Sequence, residues 1–525
     1  MAGYPGWYWA RDYIWLKFSE LGLINMRLDE FNLTVPIDHD TSITVLTSLP
    51  TTLKAYTLYP NLIQTSPTPP SGVEGHLIYV GKGELSDFIG LNVEGSIVLM
   101  EFNSKDNWLN AAKLGAKAVI FLAPNTTSRL EAEYKTLVTP LYFPRVYVEE
   151  EEASYLRKLA QEGDVKVKIT SRMFYEDVKA VNIVGAINGS LYPNELIILA
   201  AHYDTYSVVP ALAPGADEAT GIAALLEIAR FLSNSENRPK RTVIFVALAS
   251  HWQQLAGARE FVHKYYFSDE ALQRKFIIGP FIALDFSTDS DKVAGMLYGN
   301  AYVYNRYEVD RFSRIQQVIN NIIRELENQI GINKSVYFDA LLSGDLSTPV
   351  PMTYMLDSEP ATVAGCVGIT YRTAFAYRMN WYHPLNTYDL VKFENLMPQL
   401  VIAFSTIYYF VQLDDLNAIA NLNRDYPRRV WGVTESGGGF YTLIGRVEEY
   451  DEKKGWYIPV KDAIVDISYR GGVTPAEAGA LPVVSPNSPL NPYSHWIVKA
   501  NEKGEFEVHG LPARQCTAPY QPSKY

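Results

Sequence analysis

The sequence predicts an α/β protein: a mixed sheet flanked by helices, with an inserted β-rich segment and a C-terminal β-sandwich. Three observations carry this expectation. Between 176 and 415, short continuous apolar runs at 183–187, 196–201, 242–247 and 281–284 alternate with helical patterning. Such runs suit strands buried on both faces of a mainly parallel sheet. Residues 46–172 instead interleave strand-like runs with Pro- and Gly-rich turns, and residues 440–512 read as β.

In chain order, residues 8–21 form an amphipathic helix carrying Trp9, Tyr13, Ile14, Leu16, Phe18 and Leu21, stopped by Gly22. A strand at 32–37 follows. The inserted segment holds strands at 76–80, 96–102, 118–122 and 142–148, with helices at 108–115 and 149–162. In the α/β part the helix at 220–232 places Ile222, Leu225, Leu226 and Ala229 on one face. A linker at 426–429 and a glycine run at 437–439 precede strands at 440–447, 463–469, 495–500 and 505–509. These boundaries give an N-terminal part at 1–45, an insertion at 46–172, the main domain at 173–425 and a β-sandwich at 440–525, whose pattern stops at Ala513 before the sheet is complete.

Composition excludes several classes. Of 525 residues, 46 are Lys or Arg and 58 are Asp or Glu, a formal charge of −12. A chain this acidic lacks the basic surface that phosphate binding needs, so no nucleic-acid partner is expected. Two cysteines, Cys366 and Cys516, allow neither a disulfide framework nor a thiolate metal site. No run approaches the ~20 apolar residues of a membrane span; the run at 400–413 reads as a core helix. The triplets at Asn32, Asn125, Asn188 and Asn333 fit glycosylation acceptors, and 36 tyrosines suit wet surfaces. Together they point to an extracellular or cell-surface protein, although the first residues show no signal peptide.

The chemistry-bearing residues sit at strand ends. His202 ends the run at 196–201, with Asp204 two residues on. Ligand sites form beyond the carboxyl ends of strands in open α/β sheets. Asp217 lies in a Gly-bounded loop before the helix at 220–232, Asp285 ends the run at 281–284, and His383 sits in Trp381-Tyr382-His383-Pro384. Two imidazoles and two carboxylates from separate elements make a zinc site chemically reasonable. Singly, each residue is better explained as a satisfied polar group or a helix cap.

Taken in order, His202-Tyr203-Asp204, Gly215-Ala216-Asp217, Leu284-Asp285 and Tyr382-His383 resemble the signature of the co-catalytic zinc exopeptidases, the family of zinc aminopeptidases, glutamate carboxypeptidase II and the non-catalytic transferrin receptor. The run at 387–391 resembles the glutamate carboxypeptidase branch, 46–172 a protease-associated domain, and 440–511 a carboxypeptidase regulatory-like sandwich. The resemblance implies that His202 and Asp285 hold one zinc, that Asp217 bridges to a second, that His383 helps hold the second, and that Asp204 orients His202.

The pattern breaks in two places. The family carries a Glu-Glu pair, base and ligand, after the strand at 242–249; this chain has Ser250-His251-Trp252. Asn386 also stands where an acid is usual. Trp binds no zinc, and a lost general base removes ~10²–10⁴ in rate. His251 is then a substitute ligand or base, and Glu218 the nearest spare carboxylate. Two readings stay open: an active exopeptidase acting on peptides, or a scaffold of peptidase ancestry that binds a peptide or protein, with self-association through the unfinished sandwich as a further option.

Overall fold

Two eight-stranded mixed sheets carry most of the chain in the computed structural model, which describes residues 1–137, 139–296, 309–338, 355–423, 427, 440–467 and 496–512. The strands of the main sheet are β1 (Ile24–Asp38), β2 (Met173–Ile187), β3 (Tyr192–His202), β4 (Arg241–Leu248), β5 (Ile277–Asp285), β6 (Lys292–Met296), β7 (Tyr337–Phe338) and β8 (Gly368–Ala374). Their spatial order is β1-β2-β4-β3-β5-β8-β6-β7, with β4, β3, β5 and β8 mutually parallel.

The continuous apolar runs have a direct explanation. Successive side chains of a strand point to opposite faces. In β3, Ile197, Leu199 and Ala201 enter one core, and Ile198 and Ala200 enter the other. The first core is roofed by α1 (Pro5–Glu20), α2 (Thr220–Ser233) and α5 (Phe393–Gln412), with α4 (Val309–Ile330) alongside. The second is covered by α3 (Ala256–Tyr266) through Phe261 and Val262. Each such side chain removed from water contributes about 1.5–3 kcal/mol.

α1 forms where expected, but its buried face differs from the expected one. Trp7, Ile14 and Phe18 enter the core, whereas Trp9, Tyr13 and Leu16 are 73%, 55% and 52% exposed. At 100° per residue, positions 7, 14 and 18 share a face that 9, 13 and 16 do not. The strand expected at 32–37 is the distal part of β1, which pairs antiparallel with β2 along nearly its whole length. Its first half alternates with charged residues, which hid it from a search for apolar runs. β6, β7 and β8 also escaped that search.

Strands between 42 and 170 build the second sheet, in which Val73–Tyr79, Ile97–Glu101, Ala118–Leu122 and Arg145–Val148 run parallel, with helices Trp108–Lys113 and Glu150–Glu162. Beyond 440 the described residues form three two-stranded ladders: Phe440–Arg446 with Glu505–Pro512, Glu448–Asp451 with Trp456–Pro459, and Ile464–Ile467 with Trp496–Lys499. The expected linker apart from Pro427, the glycine run, the strand residues at 468, 469 and 495, and the chain after 512 lie outside the described residues. The side chains of Asn32, Asn125, Asn188 and Asn333 are all exposed. Among the described residues no helix is long and apolar enough to cross a membrane.

Two glycines set the spacing of the sheet's upper rim. A Cβ on Gly221 would meet the Leu284 carbonyl oxygen at 2.6 Å, and one on Gly257 would meet the Ala249 carbonyl oxygen at 2.2 Å. These contacts press the starts of α2 and α3 against the ends of β5 and β4.

Among the cations that the second sheet buries is Lys135. Lys135 is fully buried, donating to the Lys105 carbonyl and to Glu131, over the rings of Phe102 and Phe121. Burial pulls its ammonium down to about 8 from the usual 10.5. Between those two values the unfolded chain binds more protons than the native one, so native stability rises with pH there. Lys135→Met is expected to remove this rise: its stability relative to wild type, from urea unfolding, should fall by on the order of 2 kcal/mol across that interval.

Candidate metal centre

The carboxyl ends of β3, β4, β5 and β8 converge on one rim, and the chemistry-bearing residues lie there. His202 is the last residue of β3, and its Nδ1 lies 3.1 Å from Oδ2 of Asp357. His251, in the turn after β4, places its own Nδ1 3.0 Å from the other oxygen of Asp357. The two rings stack at 4.1 Å between centroids. That turn is tightly wound, with Ser250, Gln254 and Leu255 all at left-handed φ of 61°, 57° and 56°. Such conformations cost on the order of 1 kcal/mol each and persist only where the surroundings enforce them.

Asp357 therefore has the role that the resemblance implied for Asp204. The Asp204 carboxylate instead accepts the backbone N–H of His251 at 3.0 Å, which fixes the turn rather than the ring of His202. Burial alone would lower the His202 pKa, but the hydrogen bond and charge of Asp357, then Asp285 and Asp204, hold it up at about 9. Burial would raise Asp357, and the two imidazoles hold it well below the usual carboxylate range. Asp357 gave no sequence signal: it lies in a segment with no apolar run and outside every motif.

Asp285 ends β5 as expected, but it does not stand open for a metal. Arg372, its register partner on β8, bonds to Oδ2, and Arg378 donates to Oδ1 at 2.6 Å and to the Asp285 carbonyl at 2.9 Å. Burial opposes ionisation of Asp285, and the two guanidinium groups overcome it, keeping the carboxyl well below its usual range. Asp217 is similarly occupied. Its Oδ1 accepts from the Thr288 N–H at 2.7 Å and from the Thr288 hydroxyl; its Oδ2 accepts from Ser287 Oγ at 2.6 Å and from Trp381 Nε1 at 2.7 Å. Asn386, where an acid is usual, accepts the Asp217 N–H at 3.1 Å.

His383 is turned into its own loop: Nδ1 accepts the Leu385 N–H at 3.2 Å and Nε2 lies 3.3 Å from the Met379 carbonyl. Burial lowers it to about 4, so it is neutral. Trp252, at the position of a ligand glutamate, packs at 5.7 Å from Trp381 and 5.1 Å from Tyr382. The four residues expected to hold zinc thus share one rim, yet three of them spend their lone pairs on fixed donors or local backbone. A pair of bridged zinc ions is poorly matched to this donor set, since Asp217 already accepts four hydrogen bonds and Asp285 is paired with two guanidinium groups.

A different group does offer metal-ligand atoms. One atom each from His202, His251 and Asp357 lie within 4.8 Å of one another, all buried. Nearby, Glu218 is 2% exposed with neither carboxylate oxygen hydrogen-bonded. Burial pushes its pKa well up; His202 works against that shift, and Asp204 and Asp217 reinforce it.

Parts of the chain are similar to known proteins. The Peptidase family M28 profile matches residues 182–331, a stretch covering His202, Asp217, His251 and Asp285. Nicalin of Caenorhabditis elegans is 35% identical over 92 residues, 17% of this chain and 16% of that protein. Carboxypeptidase Q of Bos taurus is 26% identical over 253 residues, 43% of this chain and 51% of that protein. The chain therefore spans about half or less of the length of these relatives. Among solved structures, a zinc aminopeptidase from Bacillus subtilis aligns with 81% of this chain and 94% of its own at 16% identity and a TM-score of 0.49.

The ion pairs at Asp285 generate a stability prediction. Arg378→Met leaves Asp285 with Arg372 alone and removes the hydrogen bonds of Arg378 to the Asp285 carboxylate and carbonyl, so it should lower the free energy of unfolding by on the order of 2 kcal/mol. Urea denaturation would read this, and an unchanged midpoint would mean that the guanidinium groups do not hold the rim.

Proposed function

We propose that the chain is a co-catalytic zinc exopeptidase-like protein, and that it serves as a binding or assembly protein whose peptidase-type centre does not hydrolyse peptides. The observation that carries this reading is the capture of Asp285 by Arg372 and Arg378. A carboxylate already neutralised by two guanidinium groups is a poor ligand for a dication, and placing the ion beside them adds repulsion in a buried setting. The saturation of Asp217 supports the same reading, as does the absence of a carboxylate at positions 251 and 252 to take a proton from a water nucleophile.

Other features support a partner. Trp9, Tyr13 and Leu16 form an exposed apolar stripe along α1, of the kind that marks contact surfaces. Beside the rim a cleft of about 600 Å³ is lined by Tyr59, Leu62, Tyr175, Trp252, Gln254 and Trp496 among others. Its lining mixes these aromatic and amide groups with charged side chains such as Lys179, Arg259 and Glu260, which suits a peptide or protein segment. Four exposed sequon asparagines agree with an exported glycoprotein.

A second reading, an active exopeptidase, is favoured by one observation: Glu218 is a buried carboxylate with neither oxygen hydrogen-bonded, the kind of group that serves as a general base. Turnover separates the two. The purified full chain supplied with zinc should leave aminoacyl and dipeptide substrates uncleaved above the blank. Zinc-dependent hydrolysis that disappears in His202→Ala would overturn the binding-protein reading. Placing glutamates at 251 and 252 should not restore hydrolysis by itself, because Asp285 remains paired to both arginines.

A further inference from the structure

β1 is an edge strand of the main sheet, and its pairing fixes which backbone groups face outward. In an antiparallel strand the N–H and C=O of one residue point to the same side, and successive residues alternate. The Tyr4 hydroxyl donates to the Pro36 carbonyl at 3.1 Å and accepts the Asp38 N–H at 3.0 Å, so even-numbered residues turn their backbone away from β2. His39, of the other parity, donates its N–H to the Arg172 carbonyl at 3.1 Å, on the chain entering β2. Pro36 has no N–H and stands at an even position, where the ladder needs none. The register runs without a shift from Arg27 to Asp38, so the backbone groups of Glu30, Asn32 and Thr34 also face outward. Among the described residues no second strand pairs with them.

The cleft beside the rim follows this edge. β2 lines it with Tyr175, Asp177 and Lys179, alternate residues of one face, whereas β1 lines it with every residue from Glu30 to Pro36, buried Leu33 and Val35 included. Alternate residues mark the face of a strand, and an unbroken run marks its backbone edge. The turn at 252–254 and the ladder strand Trp496–Lys499 supply other walls, so the edge borders a space of about 600 Å³ that admits one extended chain and not the edge of another folded sheet. The indole N–H groups of Trp252 and Trp496 and the amide oxygens of Gln253 and Gln254 are buried without partners. An unmet buried polar group costs about 1–3 kcal/mol, and a peptide backbone carries both the acceptors and the donors that these groups lack.

We propose that the open edge of β1 at Glu30, Asn32 and Thr34 takes up an extended peptide segment of a partner protein as an added strand, whose alternate side chains, large and apolar, enter the cleft with Tyr175, Trp252 and Trp496. This inference rests on the binding-protein reading and gives it a mode of recognition: main-chain hydrogen bonds supply affinity, and the aromatic lining selects every second side chain. Asn32 lines the same cleft, so in the native protein it carries no glycan.

The full chain and a blocked peptide, acetyl-Tyr-Thr-Tyr-Thr-Tyr-Thr-amide, provide the test through residue-resolved amide exchange and titration calorimetry. In the free protein the amides of Glu30, Asn32 and Thr34 should exchange quickly and those of Phe31, Leu33 and Val35 slowly. The peptide should bind and slow the first three, leaving the others unchanged. Methylating the peptide nitrogens of one parity should abolish binding, and methylating the other parity should spare it, because an added strand bonds along one side only. Asn32→Pro, at the parity of Pro36, keeps the β1–β2 ladder and should weaken binding by about tenfold or more through the lost donor, whereas Asn32→Ala should bind as wild type. Protection of Glu30, Asn32 and Thr34 before peptide is added would overturn the inference; light scattering would then assign the occupant to a second copy if dimeric and to this chain's own segments if monomeric. So would absence of binding up to millimolar peptide, equal loss from methylation at either parity, or a glycan on Asn32. If Asn32→Pro fails to fold, the two methylated peptides still decide the matter on the wild type. Zinc-dependent cleavage of an unblocked peptide would overturn the proposed function while leaving strand addition standing, and failure of strand addition leaves the turnover test untouched.

Discussion

A buried carboxylate needs a positive charge beside it, and in this protein the Asp285 carboxylate finds two on its own chain. Arg372 reaches it because the parallel register of β5 and β8 places residues 285 and 372 side by side. Arg378 reaches it from the loop beyond β8, with its guanidinium 4.0 Å from the ring of Trp381. Trp381 in turn aims its indole N–H at Asp217. Asp285, Arg378, Trp381 and Asp217 form one continuous chain of charge, stacking and hydrogen bonding. It fixes the loop that carries His383 and consumes the acceptors that a pair of metal ions would need. The rim answers the electrostatic demand of its buried carboxylate with arginine.

The other half of the rim is balanced differently. His202 and His251 share Asp357, and the left-handed turn after β4 brings the second imidazole onto the first. Glu218 stays outside this network, buried and without a partner. The contrast between a saturated side around Asp285 and Asp217 and an unsaturated side around His202 and Glu218 is the main electrostatic feature of the site.

The inserted sheet is coupled to the same loop. Arg129, on a short helix of the second sheet, donates to the carbonyl of Tyr377 and stacks on Tyr382, and its backbone N–H donates to the Met379 carbonyl. The segment holding Arg378, Trp381 and His383 is thus clamped between the two sheets.

The division between sequence and structure follows from the range of the interactions. Local and periodic signals were legible: the buried strands that became β3, β4 and β5 showed as apolar runs because both of their faces are covered, α2 showed its period, and His202, Asp217 and Asp285 stood where strand ends and a helix start put them. The loss of carboxylates at 251 and 252 was equally plain from residue identity. What the sequence could not carry was pairing between distant segments. The partner of His202 proved to be Asp357, 155 residues away, and the partners of Asp285 were Arg372 and Arg378, 87 and 93 residues away. None of these three lies in a periodic pattern or a motif. The side chains present at the rim were settled by the order of residues, and their bonding by strand register and loop packing, because a hydrogen bond or ion pair depends on spatial proximity that only the folded sheet creates.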